Sequence, residues 1–151
     1  MSCDAIRRGG APIGRLEHLP TLEIAAVLHL RLWGKEREED EAIELMTAAP
    51  WRAFEGLTYV LQNYWRRPLV RHSPNCACLG ADEAAFAHFV SAAGTGERED
   101  AMLLASLIVR PAGNLIAVNA AETFRLALLR AVAAGERQAP RTHHLASAQV
   151  H

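Results

Sequence analysis

Apolar residues recur three and four positions apart through most of this chain, and no stretch alternates apolar and polar residues for the length of a strand. That period is the one an α-helix needs to keep its apolar side chains on one face. Leu22, Ala25, Ala26, His29 and Trp33 form the first such stripe. Pro20 and Thr21 stand before it, with Thr21 placed to cap orphan amides, and Gly34 follows as a natural stop. The run from Lys35 to Glu44 is dense in carboxylates and reads as the solvated first turns of a short second helix, with Ile43, Leu45 and Met46 on its apolar side. An acidic docking patch is the competing reading of that run.

The strongest stripe follows Pro50. Trp51, Phe54, Thr58, Leu61 and Trp65 are spaced three, four, three and four, and Leu57, Val60 and Tyr64 widen the face. Such an aromatic stripe predicts a core-facing third helix, ended by Pro68. A fourth helix starts near Asp82 and Glu83, turns Phe86, Phe89 and Val90 inward, and breaks at Gly94 and Gly96. A fifth spans about 97–109 with Ala101, Leu104 and Ile108 on one face, and Pro111 and Gly113 interrupt it. A sixth, about 114–134, carries Ile116, Ala120, Phe124, Ala127 and Ala131 and ends at Gly135.

These elements predict an all-α fold, a compact five- or six-helix orthogonal array or bundle over residues 20–135 with disordered termini. Residues 1–19 show no period and read as a loose arm. Residues 136–151 carry Pro140, His143, His144 and His151 without periodic apolar positions, and read as a disordered tail.

Composition narrows the class. The 151 residues fit one domain with a real core. Half are apolar and only 6% aromatic, a mixture rich in the helix formers Ala and Leu. A net charge of −1 lacks the basic excess of a dedicated nucleic-acid binder. No apolar run reaches the roughly 18 residues that span a bilayer, and the first ten residues lack a signal peptide's apolar centre. Cys3, Cys76 and Cys78 make an odd count, which argues against a secreted disulfide framework. The expectation is a bacterial cytoplasmic protein without membrane association.

Candidate chemistry gathers in the loop from Arg71 to Gly80. His72, Cys76 and Cys78 supply three soft donors within seven residues. A structural zinc site wants four ligands, and an iron–sulfur cluster needs several thiolates. The nearest fourth donor, His88, shares its helical phase with Ala84 and Ser91 and points away, while Cys3 and His18 are remote in sequence. Thiol chemistry is the second option, because Arg66, Arg67 and Arg71 precede the cysteines and a helix begins just after them, both favouring a thiolate. The third option is structural: Cys78 and Leu79 tuck into the core and His72 hydrogen-bonds a turn.

Trp65, Arg66, Arg67 and Arg71 form a basic segment whose planar donors suit carboxylates on a protein partner. Cations at a helix C-terminus explain the same residues without a partner. No phosphate-cradling loop, Gly-x-Ser-x-Gly or His-Glu-x-x-His pattern occurs. The sequence therefore favours a small non-enzymatic regulatory or partner-binding protein that works through residues 66–78. The rival is a metal-binding or thiol-based redox or sensor protein built on His72, Cys76 and Cys78.

Overall fold

A computed structural model describes residues 9–34 and 48–148, with side chains described as far as residue 135. Among the described residues the architecture is helical with one small sheet. Strand β1 (Pro12–Arg15) and a turn of 3-10 helix at Leu16–His18 lead into α1 (Thr21–Leu32). Then come α2 (Ala48–Tyr64), strand β2 (Cys78–Gly80), α3 (Ala81–Gly94), α4 (Arg98–Ile108), a 3-10 turn at Pro111–Gly113 and α5 (Asn114–Ala148). The short helix expected from the charged run at 35–44, with Ile43, Leu45 and Met46, lies outside the described residues.

Helix α3 is the centre of the array and packs against α1, α4 and α5. Its composition allows this: Ala84, Phe86, Ala87, Phe89, Val90, Ala92 and Ala93 are all buried, so apolar side chains occupy nearly every face. Phe54 of α2 is the aromatic hub. It is fully buried, with ring centroids 5.3 Å from Phe124, 5.4 Å from Trp51, 5.6 Å from His29 and 6.5 Å from Phe86. Four helices thus meet on one ring, at separations where offset and edge contacts are favourable. Leu57 and Leu61 are fully buried beside it, whereas Trp51 and Trp65 are only partly covered.

Several boundaries differ from the sequence reading. Pro20, not Thr21, holds the cap position of α1, and no side-chain hydrogen bond caps it. Gly34 does supply the expected stop, with φ of +75°. Helix α2 ends at Tyr64, well before Pro68, because Trp65 leaves the helix to pair with Val109. The inward stripe of α5 is Ala117, Ala121, Phe124 and Leu128, and Ile116 is 46% exposed. Leu115, Ile116, Ala117 and Val118 are consecutive apolar residues, so spacing alone does not choose the phase of this helix. The backbone of α5 also runs past Gly135 to Ala148; side chains of the tail expected to be disordered, and residues 149–151, lie outside the described residues.

The expectation of a purely helical fold needs one correction. Part of the segment expected to be a loose arm is a strand. β1 pairs antiparallel with β2, matching Pro12 with Gly80, Gly14 with Leu79 and Arg15 with Cys78, with a bulge between Pro12 and Gly14. Four residues are too few for alternation to show, and the partner strand lies more than sixty positions away. Leu16 and Leu19 then cover a second small apolar cluster of Val27, Leu79, Ala84 and Ala87. Residues 1–8 lie outside the described residues.

Candidate functional site

The segment from Arg66 to Glu83 crosses the ends of α1 and α3, and a buried ion pair organises it. Arg31, in the last turn of α1, and Glu83, in the first turn of α3, both have 0% side-chain exposure. Arg31 Nε donates to Glu83 Oε2 at 2.6 Å and Nη2 donates to Oε1 at 2.9 Å. The remaining donors of the guanidinium reach the loop: Nη1 donates to the Cys76 carbonyl and Nη2 to the Cys78 carbonyl, each at 2.6 Å. Glu83 accepts in addition from the amides of Gly80 and His72, at 3.1 Å and 3.3 Å. A buried charge pair is tolerable when its remaining donors and acceptors are satisfied, and here they are.

Within this frame His72 is 6% exposed and both ring nitrogens have a hydrogen-bond partner. Nε2 lies 2.7 Å from the Gly10 carbonyl, and Nδ1 lies 3.4 Å from Cys76 Sγ. The carbonyl only accepts, so Nε2 carries a proton. One further proton then resides on Sγ or on Nδ1, giving a thiol with a neutral imidazole or a thiolate with an imidazolium. Burial alone would lower the His72 pKa, but the bonds to Cys76 and Gly10 and the charge of Glu83 together hold it above its ordinary value of 6.5. Gly80 leaves room for the ring, since a Cβ there would lie 2.8 Å from His72 Nε2.

The three donors singled out in the sequence do not form one cluster. His72 and Cys76 come together, while Cys78 sits in β2 and joins the network through its carbonyl. Among the described residues no three His, Cys, Asp or Glu side chains converge as a metal site requires. Leu79 is buried, as the structural option expected, and Cys78 is half-buried. His88 lies on the exposed side of α3 with its ring near Glu23.

The basic segment is engaged within the chain. Arg67 makes a two-pronged bond to Asp82, Nη1 to Oδ2 at 2.6 Å and Nη2 to Oδ1 at 2.8 Å, and the Val70 amide donates to the same carboxylate. The hydrogen bonds that Arg67 donates to Asp82 raise the Arg67 pKa above its ordinary value. Arg71 Nη1 donates to the Leu30 and Trp33 carbonyls at the end of α1, and its guanidinium lies 5.2 Å from the centre of a Trp33 ring. Arg66 Nε donates to the Ser106 carbonyl at 2.8 Å. Trp65 packs against Trp33, with centroids 5.7 Å apart.

The residues that build the site and were not singled out in the sequence are Gly10, Arg31, Asp82 and Glu83. Arg31 carried one signal, a lone cation between Leu30 and Leu32 in an otherwise apolar turn. Asp82 and Glu83 look like ordinary first-turn carboxylates, yet both are buried.

No family model, curated protein or solved structure matches this chain. Among the described residues no helix is long and apolar enough to cross a membrane.

Proposed function

We propose that this protein is a thiol-based regulatory or sensor protein in which Cys76 is the reacting group and His72 its proton partner. The observation that carries the reading is the 3.4 Å approach of His72 Nδ1 to Cys76 Sγ while Nε2 is fixed on the Gly10 carbonyl. A nucleophile beside a base whose far nitrogen is oriented by a third group is the arrangement an activated cysteine needs. With the shared proton on Nδ1, the thiolate attacks an electrophile. With a hydroperoxide, an S–O bond forms, the O–O bond breaks, and the His72 proton passes to the departing oxygen, leaving a sulfenic acid. Cys76 is half-buried, which leaves a path for a small reagent.

Iodoacetamide tests this with the full chain in a Cys3→Ser background. Mass spectrometry should show Cys76 alkylated about tenfold faster than Cys78 at neutral pH, with the advantage lost in His72→Gln. Equal rates at the two cysteines, or an unchanged Cys76 rate in His72→Gln, would refute the reading.

A second reading keeps a protein partner but moves it off the segment Trp65–Arg71, whose arginines bond within the chain, to α4 and the start of α5, where Leu103, Leu107, Leu115 and Ile116 are exposed.

A further inference from the structure

A groove of about 470 Å³ lies along the C-terminal half of α3, beside the start of α1 and the start of α4. Its walls carry Glu23 from α1, His88 and Ser91 from α3, and Glu97, Asp100 and Leu103 along the start of α4. Among the described residues no lysine or arginine lines it; Arg98, the nearest by sequence, reaches instead to Asn119. Three carboxylates therefore share the groove with one histidine and an apolar strip.

Glu23 is the feature that points to a ligand. The residue is 8% exposed, and its Oε2 is shielded from solvent without a hydrogen-bond partner. The nearest basic nitrogen, His88 Nδ1, is 3.6 Å away, beyond hydrogen-bond length, on a side chain that is 55% exposed. A buried carboxylate oxygen that accepts nothing is costly, and a donor arriving from the groove would relieve it. The groove does not suit a metal, because no three ligating groups among the described residues converge. Charge spread beside apolar side chains suits a cation with an apolar body.

We infer that the Glu23 groove binds a small organic cation of the primary alkylamine class, with its ammonium on Glu23 and its chain along Leu103. Glu97 and Asp100 add attraction at the rim, and a second ammonium on the same chain has a carboxylate to meet. The volume lies in the range of small-molecule sites. His88 moves aside as the ligand enters and gives up its approach to Glu23.

The test uses the full chain, with 1,5-diaminopentane as the probe and pentane-1,5-diol as the neutral control, each followed by amide chemical-shift titration. The diamine should give saturable shifts centred on residues 88–104, and the diol none. Glu23→Gln should weaken binding by about tenfold or more, since it removes a charge-assisted bond. Because Glu23 is buried, His88→Lys at the exposed position is the independent check: its ammonium should occupy Glu23 and abolish binding while the fold remains intact. No saturable binding, equal response to the diol, or full affinity in His88→Lys overturns the inference.

Discussion

Arg31 and Glu83, 52 positions apart, face each other through two hydrogen bonds with both side chains fully buried. The pair joins the end of α1 to the start of α3 and holds the Cys76 and Cys78 carbonyls between them. Removing one partner strands the other charge in the interior, at a cost of about 3–5 kcal/mol. Glu83→Gln and Arg31→Met should each lower the urea midpoint accordingly. The double variant Arg31→Met/Glu83→Gln should lose clearly less than the sum of the two single losses, because no charge is left unpaired, although the Cys76 and Cys78 carbonyls still lack their donor. Additive losses in the double variant would show that the pair is not a unit.

Phe54→Ala should cost about 3–5 kcal/mol, since the ring is fully buried among four helices. Leu107→Ala, at a position 66% exposed, should change the melting temperature little. Chemical unfolding of both variants checks the contrast.

Two histidines give opposite pH dependences. His29 is buried against Trp51, Phe54 and Phe124, and burial holds its pKa below 6.5 against a smaller raising effect from the bond to the Ala25 carbonyl. The unfolded chain therefore takes up this proton more readily, and stability present above 6.5 is lost as pH falls below it. His72, raised above 6.5, contributes stability that is complete below that value and is lost as pH rises through its folded pKa. In melting curves between pH 5 and 8, His29→Phe should flatten the acid-side decline. His72→Asn should remove the gain on acidification and leave a steeper acid-side decline than wild type.

Arg67→Glu should destabilise the fold by about 1–2 kcal/mol, because Asp82, with its side chain only 10% exposed, would lose its two-pronged partner. Read from sequence alone, Arg67 and Arg71 are surface cations whose loss leaves stability nearly intact. Thermal unfolding decides between the two expectations, and Arg67→Gln should fall between the charge reversal and wild type.

Helical period was legible wherever one face alone is apolar. Phe54, Leu57 and Leu61 sit where their spacing puts them. It failed in α5, where Leu115 and Ile116 compete with Ala117 and Val118 for the interior, and only packing against α2 and α3 decides. Of the candidate site, the His72–Cys76 neighbourhood was visible as a local cluster, four residues apart. Its supports were not, because Gly10, Arg31 and Glu83 reach it from 62, 45 and 11 positions away. No local pattern encodes such long-range partners. The buried state of Asp82 and Glu83 was hidden for the same reason: a carboxylate in a first helical turn looks alike whether its partner is water or an arginine.

The pairing of β1 with β2 has a consequence for biosynthesis. A ribosome delivers Gly10 62 residues before His72, so the carbonyl that orients the imidazole waits through the synthesis of α1 and α2 without its partner. Until Cys78–Gly80 emerges, Pro12–Arg15 is an unpaired edge. Cys76 thus leaves the exit tunnel as an ordinary thiol. Its neighbouring histidine is fixed by the Gly10 carbonyl only when the segment that carries β1 docks on β2, which ties the orientation of this loop's imidazole to completion of the fold.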